Sequence, residues 1–317
     1  MDSIIPLESS RHIDMWALPG AHPTNIELMQ KLKTADSNHF NKSMEVVGTV
    51  SEQDPESQKY QKTHLVGVRT DIWKPNEQEM ASSLRSLKKR RKQELKKQIK
   101  RSGRLSGSQT ARLQNTVADD SVMQLDSGDI EKRRLVLKLF GTTTTRTRWC
   151  GSIEEITTSE VHNSIGSNRC LISLVVILPR VKIVTHIQQN HRTFRWPAVF
   201  SFCYYDGQRM WHVTLKQRWV SFGPDFDVFV DGQEIGLLDS KVACFGSDSY
   251  VSLDSHPLAK DRGFIDSMTL FAASTGYHRA IRKNIKKRIR LVENGESHCH
   301  IIEDEELKMR YNGRAAA

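Results

Sequence analysis

The sequence of 317 residues has few cysteines, no long apolar run and no recognisable leader. Its five cysteines are scattered without a Cys-x-x-Cys pair, and an odd, dispersed set is typical of reduced thiols. The longest apolar run, residues 171–178, is well short of the ~20 residues that cross a bilayer. The first residues are acidic and are interrupted by Pro6, unlike a secretory leader. We therefore expect a nuclear or cytoplasmic protein with no transmembrane segment.

Sequence motifs of the common enzyme classes are also absent. There is no glycine-rich phosphate loop, no Gly-x-Ser-x-Gly and no His-Glu-x-x-His. The densest group of metal-ligand types is His298-Cys299-His300. Neighbouring side chains on an extended chain point in opposite directions, so a zinc site there would also need His256 or His278. A solvated tail explains the group more simply, and we expect no catalytic residue, no metal and no cofactor.

The positive charge of the chain is concentrated in one segment. Lysine and arginine exceed aspartate and glutamate by 47 to 37, a net charge of +10. Residues 85–104 contain eleven basic residues and one acid, which equals the whole excess. A block of this density is stabilised by an anionic partner such as nucleic acid, an acidic protein or an anionic lipid surface. Residues 88–92 also have the density of a nuclear-import signal, and a solvated helix face without a specific partner is the alternative.

Changes in composition divide the chain into five segments. The first 76 residues are polar and interrupted by prolines, whereas residues 77–101 lack proline and glycine and favour a helix. From residue 133, β-branched and aromatic runs bounded by turn residues predict strands. The predicted segments are a largely disordered polar arm (1–76), a basic helix (77–104), a linker (105–131), a β-barrel-like domain with a C-terminal helix (132–293) and a polar tail (294–317).

Two Asp-Gly pairs fix the register of two predicted hairpins, with Asp206-Gly207 and Asp231-Gly232 as two-residue turns. The paired residues are then Phe202 with Trp211 and Phe200 with Val213 in the first hairpin, and Val228 with Ile235 and Phe226 with Leu237 in the second. Cross-strand partners share a side of the sheet, so both registers place the large apolar side chains on one face.

A short internal repeat begins before the second hairpin and overlaps its first strand. Residues 222–231 align with residues 245–254, and the Phe, Gly, Asp, Val and final Asp positions coincide. Each copy predicts a glycine-containing turn and a strand that ends at an aspartate. Two successive copies predict a meander, as in a barrel or a curled sheet.

The last predicted element is a helix whose first part is apolar and whose second part is amphipathic and basic. Residues 264–273 are apolar on nearly every side, which is typical of a helix inside a protein. After Gly276, apolar residues recur at steps of four between many lysines and arginines. We predict one helix, bent at Gly276, that is buried at its start and exposed at its end.

The meandering strands, the repeated Phe-Gly-x-Asp unit and the apolar helix, all between residues 211 and 277, resemble the tubby-like and LURP-one-related proteins. In that family a closed antiparallel barrel wraps a hydrophobic helix near the C-terminus, no catalysis is implied, and some members bind phosphoinositides. The resemblance implies a mainly β fold, an antiparallel meander or barrel around a buried C-terminal helix. A disordered or helical basic N-terminal region would precede it.

Together these observations predict a non-enzymatic intracellular module that binds a polyanion, most readily nucleic acid or an acidic protein. Contacts between basic side chains and phosphate groups position a protein on nucleic acid without recognising the base sequence. The residues expected to make these contacts are Arg85, Lys88, Lys89, Arg90, Arg91, Lys92, Lys96, Lys97, Lys283, Lys286, Lys287 and Arg288. The alternatives are phosphoinositide or anionic-membrane binding by a tubby-like barrel, and an enzyme whose non-contiguous active site lies at the barrel mouth.

Overall fold

A computed structural model gives the fold of most of the sequence. It describes residues 9–16, 44–54, 57, 59–73, 134–142, 147–167, 169–179, 181, 183–191, 197–219, 223–243 and 246–295. The predicted basic helix, the linker, and the tail from residue 296 lie outside these residues.

Twelve antiparallel strands form a closed barrel. Strands that are consecutive along the chain are adjacent in the sheet, and the first strand closes the barrel by pairing with both the second and the last. The strands are β1 (Ser9–Trp16), β2 (Met44–Gln53), β3 (Tyr60–Arg69), β4 (Val136–Thr142), β5 (Thr147–Glu155), β6 (Ser173–Ile177), β7 (Thr185–Gln189), β8 (Val199–Tyr205), β9 (Met210–Gln217), β10 (Phe226–Val230), β11 (Gln233–Ala243) and β12 (Gly246–Leu253). The mainly β, antiparallel barrel predicted from the sequence is confirmed.

The predicted start of the barrel domain at residue 132 is wrong. Three of the twelve strands, β1 to β3, come from the first 76 residues, which we expected to be a polar arm. Their inward side chains join the main core, among them Ile13, Val50 and Val66, each 0% exposed. The same strands also contribute Trp16, Met44, Val46 and Leu65 to a second buried cluster around Phe140, so buried side chains lie on both faces although this part of the sequence is polar on average.

The two predicted hairpins are present, but their registers differ from the prediction. Tyr205 pairs with Met210, so the first turn has four residues, and Asp206 accepts hydrogen bonds from the N–H groups of Gln208 and Arg209. Each pairing therefore shifts by two residues, which keeps the apolar side chains on one face. The second turn has the predicted two residues, with positive φ at both, as a type I′ turn requires.

A β-bulge alters the second hairpin beyond its turn. The register shifts between Val228 and Phe229, so Val228 lies opposite Gly236 and Phe226 opposite Leu238. Ile235 is the extra residue and is buried. A bulge leaves one residue unpaired and bends its strand, which is how both Ile235 and Leu238 can point into the core.

Helix α2 (Arg262–Thr275) packs against the inward faces of the strands, and α1 (Thr157–Ser164) precedes β6. Eleven of the fourteen residues of α2 are buried. The ring of Phe271 lies 5.1 Å from that of Phe200 on β8 and 5.4 Å from that of Phe226 on β10. Asp261 caps the helix, because its Oδ1 accepts the N–H of Phe264 at 2.8 Å.

Helix α3 (His278–Glu293) follows after Gly276 and Tyr277, so the predicted bend is a break between two helices. Its buried residues Ile281, Ile285 and Ile289 belong to the main core. Between these isoleucines, Arg288 donates to Glu155 on β5 at 2.5 Å and to Glu160 on α1 at 3.1 Å. All three charged side chains are completely buried, and they tie α3 to the barrel wall.

Candidate functional site

The exposed side of α3 carries a line of basic residues. Arg279, Lys283, Lys286 and Arg290 are all exposed. Their spacings of four, three and four residues place them within a sector of roughly 60° over about 16 Å of helix. Within the described residues, none of the four forms an ion pair with an acidic side chain. We call these four residues the basic stripe.

Among the C-terminal residues predicted to contact a polyanion, Lys283, Lys286 and Lys287 are exposed. Arg288 is not, because its guanidinium is 0% exposed and is bound by two glutamates. Its inclusion in the predicted site is therefore wrong, and its role is to anchor α3. Arg279 and Arg290 were missed, although their spacing from Lys283 and Lys286 already places all four on one helix face.

The other eight predicted contacts lie outside the described residues. They are Arg85, Lys88, Lys89, Arg90, Arg91, Lys92, Lys96 and Lys97. The structure describes the chain before this segment as far as Trp73. β3 runs into a single helical turn, Thr70–Trp73, whose Trp73 packs edge to face on Tyr277, just before α3, with ring centroids 5.5 Å apart. The described chain before this segment therefore stops at the end of the barrel from which α3 emerges.

A second candidate site is a cleft of about 920 Å³ at the opposite end of α2. It lies between the start of β5, the ends of β6 and β8, and the first turn of α2. Its lining includes the apolar residues Trp149, Leu178, Pro179, Val181 and Ile183 and the charged residues Arg148, Asp206, Asp261, Arg262 and Asp266. We call it the barrel-mouth cleft.

The three aspartates of the barrel-mouth cleft are already bound by donors of the protein. Asp206 accepts the indole N–H of Trp211 at 2.7 Å, besides two backbone N–H groups. Asp261 accepts the hydroxyl of Tyr204 at 2.7 Å while it caps α2. Asp266 accepts Arg11 at 2.7 Å, and Arg11 also binds Glu52. The arginines of the cleft, Arg148 and Arg262, form no ion pair within the described residues.

Cys150 forms part of the inner wall of the cleft, and His64 lies beside it. Both side chains lie against Gly141. If Gly141 carried a Cβ atom, that atom would be 3.1 Å from Cys150 Sγ and 3.7 Å from His64 Nε2. Burial raises the pKa of the Cys150 thiol, and burial lowers the pKa of His64 to about 3. A catalytic thiolate needs the opposite shift, so this pair lacks the features of an activated nucleophile. No described histidine lines the cleft.

The remaining candidates from the sequence are dispersed. His256 and His278 stand before and after α2, so the structure does not bring them together as metal ligands. Residues 298–300 lie outside the described part of the chain, within which no group of three or more histidine, cysteine or acidic side chains is placed to hold a metal. The described helices include none that is long and apolar enough to cross a membrane.

Comparison with known proteins adds no relative. No family model matches the chain, and neither a curated protein nor a solved structure matches it. The basic stripe and the barrel-mouth cleft are therefore the two features of the molecule that point to a function.

Proposed function

We propose that the protein is a non-enzymatic nuclear or cytoplasmic module that binds nucleic acid through the basic stripe of α3 and the basic segment of residues 85–104. The single observation that carries the proposal is the basic stripe itself, four exposed cations in one line without acidic partners in the described structure. Phosphate groups repeat along a nucleic acid backbone, so a line of cations matches it better than it matches a single small anion.

The way α3 is held supports this proposal. Its apolar face is fixed by Ile281, Ile285 and Ile289, and Arg288 is bound to two buried glutamates. Lysine and arginine side chains on a rigid helix lose less freedom on binding than those on a free segment. Trp73, twelve residues before Arg85 in the sequence, packs on Tyr277 just before α3, and this connection allows both sets of cations to contact one ligand.

We further infer that the barrel is of the tubby-like or LURP-one-related kind. The support is a closed barrel of twelve antiparallel strands with the apolar helix α2 packed against their inner faces. Some members of that family bind phosphoinositides, so anionic membranes are the competing ligand class for the same cations.

The salt dependence of binding tests the proposal. The full chain should bind single-stranded and duplex DNA with a log–log slope against salt of about −0.7 to −0.9 per phosphate contact. The double variant Lys283→Gln, Lys286→Gln should reduce the magnitude of the slope by about 1.4 to 1.8. Alanine at residues 88–92 should flatten it further. Fluorescence anisotropy between about 50 and 200 mM salt measures both effects.

A matched control variant removes the same number of positive charges from exposed lysines outside the basic stripe. The double variant Lys62→Gln, Lys241→Gln removes two exposed cations from β3 and β11 and should leave the slope unchanged. Salt-insensitive binding, or an equal effect of both double variants, would contradict the proposal. Preferential binding to vesicles containing a phosphoinositide would assign the basic surface to membranes instead.

A further inference from the structure

The barrel-mouth cleft combines an apolar wall with two arginines that have no acidic partner in the described structure. We propose that it binds a single-chain amphiphile with an anionic head group, the chain against the apolar wall and the head group at Arg148 and Arg262. The site is separate from the basic stripe, because α2, with fourteen residues, places about 20 Å of helix between them.

The size and lining of the cleft fit an aliphatic chain. Its volume of about 920 Å³ is at the upper end of the ~300–1,000 Å³ found for small-molecule sites. Ile183 lines the cleft and is 50% exposed, and the adjacent Val184 is 41% exposed. Surfaces that bind an apolar ligand often expose large aliphatic side chains to solvent when the ligand is absent.

The hydrogen-bonding groups available in the cleft favour an anionic head group over a cationic one. Each lining aspartate already accepts hydrogen bonds from protein donors, and Asp266 is also paired with Arg11. Arg148 and Arg262 are exposed, and a guanidinium binds a carboxylate or a phosphate with two parallel hydrogen bonds. The cleft therefore offers guanidinium donors that have no acidic partner in the described structure, whereas each of its carboxylates already accepts hydrogen bonds from the protein.

Isothermal titration of the full chain with decanoate, dodecanoate and tetradecanoate, each kept below its micelle concentration, tests the proposal. Each added pair of methylenes should tighten binding roughly tenfold until the chain fills the cleft. The corresponding alkyl phosphates should bind as well, because they offer the same anionic oxygens. Monoacylglycerols and alkyltrimethylammonium ions of equal chain length should bind at least tenfold more weakly.

Two head-group variants and one rim variant locate the ligand. Arg148→Gln and Arg262→Gln should each weaken dodecanoate binding about tenfold or more, and both positions are exposed, so the fold should be retained. Ile183→Asp should also weaken binding, since it removes an apolar contact and adds a like charge. The variant Lys283→Gln, Lys286→Gln serves as the control and should leave dodecanoate binding unchanged.

The same variants separate this site from the proposed nucleic acid surface. Loss of DNA binding in the stripe variant with intact dodecanoate binding would support two independent sites. Binding that ignores chain length, equal binding of monoacylglycerols, or binding only to phosphatidylcholine vesicles containing phosphatidic acid would each overturn the amphiphile site. None of these three results would affect the DNA measurement, so the two proposals fail separately.

Discussion

His64 is a buried imidazole with one ring nitrogen satisfied and one not. Its Nδ1 lies 2.8 Å from the hydroxyl of Thr63, whereas Nε2 has no hydrogen-bond partner among the described residues. Burial and the nearby charges of Arg11, Arg262 and Arg148 lower its pKa to about 3. The carboxylate of Glu52, 3.9 Å from Nδ1, is the nearest opposing charge. His64 is therefore neutral in the folded protein at every pH at which the protein is expected to function.

This environment makes His64 a source of acid sensitivity. An unfolded histidine takes up a proton near pH 6.5 and the folded one only near pH 3, so its contribution to stability is lost as pH falls between these values. The slope is about 1.4 kcal/mol per pH unit. The wild type should lose stability relative to His64→Asn by about 2–3 kcal/mol between pH 6.5 and about 4.5. Urea unfolding at a series of pH values measures the difference.

Comparison with the variant isolates His64 from other groups with shifted pKa values. His278, Asp266 and Glu160 titrate in both proteins, and their effects cancel in the difference. A difference in the free energy of unfolding that stays constant with pH would show that His64 is not held neutral by its surroundings.

At the scale of the element, α3 has two charged faces with different roles. The basic stripe faces outward, while Arg288 neutralises part of a buried cluster with Glu155 and Glu160. Burial and the neighbouring Glu155 raise the pKa of Glu160, and Arg288 opposes that rise. Removing the arginine would leave two buried carboxyl groups without their cation, and removing a lysine of the stripe would not.

Two substitutions on α3, two residues apart, separate these roles. Arg288→Met should cost about 3–5 kcal/mol in the free energy of unfolding, because it breaks a buried ion pair. Lys286→Met should change the stability by less than about 0.5 kcal/mol, because its side chain is exposed. Thermal or urea unfolding followed by circular dichroism measures both. Equal losses in the two variants would contradict the assignment of Arg288 as an anchor.

The sequence contains part of this information. Arg288 follows Ile281 by seven residues and Ile285 by three, so the helical period alone places it on the apolar face. Its partners could not be predicted, since Glu155 and Glu160 are about 130 residues away along the chain and no local pattern joins them. The bulge at Ile235 was missed for a similar reason. An Asp-Gly pair specifies a turn, but not how far the regular ladder continues beyond it.

At the scale of the whole molecule, the barrel is one closed sheet built from both halves of the sequence. β1 pairs with β2 and β12, and Arg11 on β1 reaches Asp266 and Thr269 on α2. The valines of β2 and β3 favour strands, but the polar residues around them make the sequence resemble a disordered segment. Arg11 is charged yet buried in β1, and the sequence does not show why, because its partners Glu52 and Asp266 are 41 and 255 residues away.

The predicted barrel domain should consequently not fold by itself. Residues 132–317 lack β1 to β3 and would expose the unpaired edges of β4 and β12. We expect this fragment to aggregate or to lack a cooperative thermal transition, and co-expression with residues 1–76 to restore soluble complex. Circular dichroism and size-exclusion chromatography measure both outcomes. A soluble monomeric fragment with a sharp transition would contradict the requirement for β1 to β3.

The pairing of Ser9 with Leu253 has a consequence for biosynthesis. The ribosome makes β1 before the other eleven strands, and its hydrogen-bonding partner β12 emerges some 240 residues later. Until then the edge of β1 that pairs with β12 has no hydrogen-bonding partner. Closure of so distant a contact is slow, and unpaired strand edges attract other chains meanwhile. The barrel can therefore close only after residues 246–253 have been synthesised.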